Sequence, residues 1–224
     1  MQTIQKNQGI SVKKFMAALL ALILFAGTAD YAQAQNKQLE RAQKKEYKAK
    51  MREFKKGGWQ IFGTSHTLDV ALLTHYDRLA KEGAMEVVGL TTSTNKNIGK
   101  EKGFMSAATD YAKTAGSNIK GRIVEDMGSV MSTEEMEEFE HFYAAYENAV
   151  QKEIKGELQY SYAIYRVNGK TPKGQDIYEF QFFYVMDESA ATKARIRAFE
   201  NAAKESAAAQ KYAEQVSKFI NEGF

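Results

Sequence analysis

The sequence predicts an α+β single domain, with an antiparallel sheet that carries a long aromatic hairpin and helices packed mostly on one face. Two segments, 157–167 (ELQYSYAIYRV) and 176–186 (DIYEFQFFYVM), are dense in aromatic and β-branched residues and flank a glycine- and proline-containing turn. Most of the remaining chain places alanine and large apolar residues at helical spacing. Strands that sit late in the chain among long helical segments indicate an antiparallel sheet with a segregated helical layer.

The elements follow in order from residue 1. Lys13 and Lys14 precede an unbroken apolar run from Phe15 to Ala26, and Ala32-Gln33-Ala34 then offers a small-x-small cleavage site. A run of about 12 residues is too short for a permanent span, which needs roughly 20. Residues 1–34 are therefore expected to be a signal peptide, and the mature chain to begin at Gln35. The residues before Val12 are unusually polar for a leader, which leaves a start near Val12 open beside Met1. No cysteine occurs anywhere, so disulfides, thiol chemistry, cysteine-bound metal and a lipidated N-terminal cysteine are all excluded.

Residues 35–58 are expected to form a basic helix ending at Gly57-Gly58. Leu39, Ala42, Tyr47, Met51 and Phe54 give it a thin apolar stripe, and Glu40–Lys44 and Glu46–Lys50 are i,i+4 pairs in the favourable order. Residues 59–224 form the α+β domain. Trp59 to Ser65 is a short apolar entry. Ser65 or Thr67 caps a helix from Leu68 to about Lys81, whose inner face holds Leu68, Ala71, Leu72, His75 and Leu79. Gly83 ends that helix, and Ala84 to Thr94 reads as a strand. A helix from about Lys100 to Ala115 presents Phe104, Ala107, Ala108, Tyr111 and Ala112, and Gly116-Ser117-Asn118 should end or kink it. Ile119 to Val124 fits strand or helix. Ser132 and Glu135 have the spacing of a capping box, which starts a helix reaching Ile154. In the hairpin, Leu158, Tyr160, Tyr162 and Ile164 alternate with Gln159, Ser161, Ala163 and Tyr165, while Phe180 and Phe182 alternate with Glu179 and Gln181. Asp187 to Glu222, free of proline and glycine, reads as one long closing helix.

The segments Val88-Gly89 with Thr91-Thr92-Ser93, the helix face Ala107, Ala108, Tyr111, Ala112 and Ala115, and Ile154-Lys155-Gly156 before YSYAIYRV carry a resemblance. Over about 84–186 the chain resembles the small bacterial envelope-lipoprotein domain of the LPP-twenty type, without its lipid-bearing cysteine. The resemblance implies an envelope or surface location and no specific residue role.

Candidate chemistry is sparse. Ser65, His66 and Asp69 are neighbours in sequence, but a triad needs convergence in space and an oxyanion hole. Glu137 and His141, at i,i+4, would supply two ligands where zinc wants three or four. His75 lies on an apolar face and reads as a hydrogen-bonded core residue. No phosphate-binding or dinucleotide glycine motif appears, and no cofactor is expected. The chain carries +3; the leader's three lysines and one aspartate account for +2, so the mature chain is near neutral and no nucleic-acid partner is expected. No transmembrane span is expected either. Tyr160, Tyr162, Tyr165, Tyr178 and Tyr184 are a candidate binding surface on the sheet.

These observations lead to the expectation of a non-enzymatic exported protein of the periplasm, outer membrane or extracellular space that acts by binding or assembly, with an envelope protein or a glycan as partner. Two alternatives stand beside it. One is a glycan or small-ligand binder using the tyrosines, and the other a hydrolase using His66 or His141. Peripheral contact with an anionic envelope through residues 37–56 is a further expectation.

Overall fold

A computed structural model describes residues 41–223. The expected signal peptide and the first residues of the basic helix lie outside them. The chain divides into two compact units between Arg52 and Glu53, each described by itself. The described part of the first is helical from residue 41. This helix, α1, runs through 41–56 and is mostly exposed, with Met51 and Phe54 buried.

The second unit is an α+β domain built on a four-stranded antiparallel sheet. Its elements are β1 (Gln60–Phe62), α2 (Leu68–Leu79), β2 (Ala84–Ser93), α3 (Lys96–Met127), α4 (Thr133–Ile154), β3 (Gln159–Lys170), β4 (Asp176–Asp187), α5 (Glu188–Ala202), α6 (Ala207–Lys211) and α7 (Ala213–Glu222), with a 3-10 turn at Ala203–Glu205. The strand order is β1-β3-β4-β2, so the aromatic hairpin forms the middle of the sheet and β2 is an edge. Phe180, Phe182, Tyr184 and Met186 point into the large helical core beside Ala107, Ala108 and Ala163. Phe183 and Tyr162 point to the other face, where α2 brings Leu72 and His75 and where the Phe54 ring meets Phe183 at 6.3 Å. That face is therefore apolar near α2 and polar toward Glu179 and Arg166, which pair at 2.8 Å.

Local signals place several boundaries. Thr67 caps α2, and Ser132 and Glu135 form the reciprocal capping box of α4. Asn95 caps α3 through the N–H groups of Asn97 and Ile98 and starts it earlier than apolar periodicity indicates.

Four expectations are corrected. Gly116-Ser117-Asn118 neither ends nor kinks the helix, because α3 passes through all three, and Ile119 to Val124 is its last part. The entry segment contains a strand, β1, whose Ile61 pairs with Ile164. The closing helix is broken at Ser206 and Tyr212. Ser206 is extended and its Oγ accepts from the Ala209 N–H, while Glu138 accepts from the Ala208 N–H. Alternation in β3 is interrupted at Ser161, a bulge lying between the Tyr160–Tyr184 and Tyr162–Phe183 pairs.

Candidate functional site

The bulge decides where the tyrosines go. Before it, Tyr160 lies on the face of the large core, with its ring 6.0 Å from Tyr184. After it, Tyr162 lies on the opposite face, stacked 4.3 Å from Phe183 and fully buried. Tyr165 and Tyr178 return to Tyr160's face but farther along the sheet, where the Lys96 ammonium lies 3.9 Å and 4.8 Å from their ring centres. Tyr165 is also tied to Gln60 by a 2.8 Å hydrogen bond. The five tyrosines thus separate into a pair (Tyr160, Tyr184), a second pair under Lys96, and Tyr162 alone.

The first pair lines a groove. Its volume is about 580 Å³, within the 300–1,000 Å³ typical of ligand clefts, and its walls are Phe104, Leu158, Tyr160 and Tyr184, with Asn97, Lys100 and Glu101 along the rim. Phe104 meets Tyr184 at 5.8 Å between ring centres. Tyr184 is buried and supplies the floor, whereas Tyr160 is 40% exposed and presents its ring to solvent. Burial raises the pKa of Tyr160 and pushes Tyr184 to about 12, so both hydroxyls stay protonated in any ordinary medium. The groove combines neutral aromatic surface with one amine, one carboxylate and one amide. These groups suit stacking and hydrogen bonding and include no activated nucleophile.

The groove is reached by α3 lying close on the sheet. A Cβ at Gly89 would lie 2.0 Å from the Gly103 carbonyl oxygen, and one at Gly103 would lie 2.1 Å from the Phe182 ring. Only glycines permit this approach, which seats Asn97, Lys100 and Phe104 beside Tyr184. Sequence reasoning picks out the tyrosines but misses Asn97, Lys100, Glu101 and Leu158. These residues come from two segments far apart in the chain, and no local pattern links them.

The histidines lie elsewhere. His66 is exposed, and its backbone N–H bonds to Thr64. His141 is exposed on α4, beside a cleft of about 480 Å³ that also includes Glu138 and Ser206, both already engaged as caps of α6. His75, only 1% exposed, contacts Ser161 Oγ through Nδ1 at 3.0 Å and Glu86 Oε1 through Nε2 at 2.6 Å. In this hydroxyl–imidazole–carboxylate chain the imidazole packs against Tyr162 and Phe183, Ser161 is half-buried and the Glu86 side chain is exposed. These contacts fasten α2 to β2 and to the bulge of β3. Arg195 is wholly buried in the helical core and bonded to Tyr111, Glu188 and Thr192, which makes it an internal clamp between α3 and α5.

Among the described residues, no three His, Asp or Glu side chains converge to hold a metal ion, and no helix is long and apolar enough to cross a membrane. No family model matches the chain, and no curated protein or solved structure is found to be similar to it.

Proposed function

We propose that the protein is exported and acts in the bacterial envelope by binding rather than by catalysis, with the groove between α3 and the aromatic hairpin as its ligand site. The observation that carries this reading is the exposed Tyr160 ring standing over Tyr184 and Phe104, with Asn97, Lys100 and Glu101 at the rim. A sugar offers an apolar ring face for stacking and hydroxyls for such rim groups, so an envelope glycan is the ligand class that fits. The leader-like N-terminus and the resemblance to the envelope-lipoprotein domain support the location. Arg41, Lys44, Lys45, Lys48, Arg52, Lys55 and Lys56 are exposed on α1, which favours peripheral contact with an anionic envelope surface.

The test is calorimetric titration with soluble peptidoglycan fragments and surface polysaccharide fragments. Binding is expected from one of these, and Tyr160→Ala should weaken it about tenfold, the equivalent of about 1.4 kcal/mol. Saccharide binding that is indifferent to Tyr160→Ala would place the site elsewhere. Absence of binding to either class would overturn the glycan assignment.

A further inference from the structure

We infer that β2 is a self-association edge, and that two copies of the chain pair antiparallel through it to join their sheets into one. This inference is independent of the glycan groove.

Among the described residues β2 pairs only with β4, and no strand lies on its outer side. A ten-residue edge is long, and such edges ordinarily carry protection in the form of lysine, proline, a bulge or a covering element. The strand AMEVVGLTTS has one charged residue, Glu86, no lysine and no proline, and its register against β4 runs unbroken from Ala84 to Ser93. It therefore presents a row of outward backbone donors and acceptors ready to form a ladder.

Exposed apolar side chains stand near the edge on both sides of the sheet, among polar ones. Gly89 faces α3, so Val88 and Leu90 face away from it, and Leu90 is 57% exposed. On the α3 side, Thr91 borders a groove of about 550 Å³ flanked by Ile98, Glu101, Lys102, Met105, Thr109 and Asp110. Ile98 is 48% and Met105 41% exposed, seven residues apart on one flank of the helix.

A second copy is the occupant that matches these features. A two-fold axis through Gly89 sets each Leu90 opposite the other copy's Val88, and each Glu86 opposite its Thr92. No like charges meet across the ladder. The same axis turns the two α3 helices antiparallel, with their Ile98 and Met105 flanks facing each other. Lys102 of one copy then approaches Asp110 of the other, and symmetry forms that contact twice. A lone extended peptide would satisfy the ladder but leave the exposed flank of α3 uncovered.

Sedimentation velocity on the full chain tests the inference. The wild type should sediment as a concentration-dependent dimer. Leu90→Lys and Met105→Glu, both at exposed positions, should each weaken the dimer at least tenfold while leaving the thermal melt in place. Lys102→Asp should weaken it as well, and adding Asp110→Lys should restore it. A monomeric wild type would overturn the inference. So would a dimer whose dissociation constant ignores all of these changes, since it would have to use another surface.

Discussion

From Lys96 to Ala107, α3 lies on the sheet; from Ala108 to Met127 it lies among helices. Against the sheet the helix yields volume. Gly99 and Gly103 sit directly on the Phe180 and Phe182 rings, and at the helix start the Lys96 ammonium lies over the Tyr165 and Tyr178 rings. Among the helices it keeps side chains and adds polar ties. Tyr111 bonds to buried Arg195, Thr109 to Gln151, Lys120 to Glu140, and Arg122 to Glu222. Fixed aromatic rings leave the approaching backbone one distance, so the sheet contact is specified by shape. The helical contact can be met by several side-chain arrangements and is specified by hydrogen bonds and ion pairs.

The largest expected effect comes from forcing a charge into the sheet contact. Phe180→Asp should unfold the domain. An unpartnered buried carboxylate costs several kcal/mol, against a total stability of about 5–15 kcal/mol. A circular-dichroism melt as cooperative as the wild type's would break the comparison, since Arg195 shows that the helical side does accept a buried charge when partners surround it.

Glycine substitutions in the same helix should sharpen it. Gly103→Ala drives a methyl into the Phe182 ring and should cost about 1–3 kcal/mol in urea denaturation. At Gly121 an added Cβ meets nothing within 4 Å, so Gly121→Ala should gain about 0.5–1 kcal/mol from restricted backbone freedom. A stabilising Gly103→Ala would show that the approach to the Phe182 ring is not fixed by shape.

The smallest effect is a pH dependence at the start of α4. The bond from Lys211 and the N–H of Ser132 hold the Glu135 carboxyl below the ordinary glutamate value of 4.5. A carboxylate depressed in the folded state contributes stability that is complete above pH 4.5 and is lost as pH falls through that value and then through the lower folded one. Hydrogen exchange at the start of α4 should therefore speed up on acidification relative to β4, and Glu135→Gln should remove the difference. Equal acceleration in both elements would place the acid sensitivity elsewhere.

What could be read from the chain alone was what its neighbours in sequence decide. Thr67 and Ser132 with Glu135 act within three or four residues, and each does so here, whereas α2 ends at its Ala80 C-cap and Gly83 serves the turn beyond it. His75 was legible as a core histidine because its helix face is apolar. Gly116-Ser117-Asn118 misled because the propensity of three residues is small beside the packing of a 32-residue helix, in which Gly116 faces the side chain of Glu147. The breaks after α5 were hidden because one of their supports, Glu138, lies far away in sequence. The groove was half legible. Its tyrosines stand out in composition, but which face each takes depends on one extra residue in β3.

That extra residue, Ser161, shifts the phase of β3, and an irregularity between Val167 and Lys170 shifts it again. Upstream of Ser161, odd and even positions have one meaning, and from Tyr162 to Val167 the opposite. A frame of this kind is edited by length rather than by chemistry. Removing Ser161 would take out the bulge yet leave Tyr160 opposite Tyr184 and Tyr162 opposite Phe183, still on opposite faces of the sheet. The exposed ring and the packing ring of this domain are thus the same amino acid, set apart by a bulge.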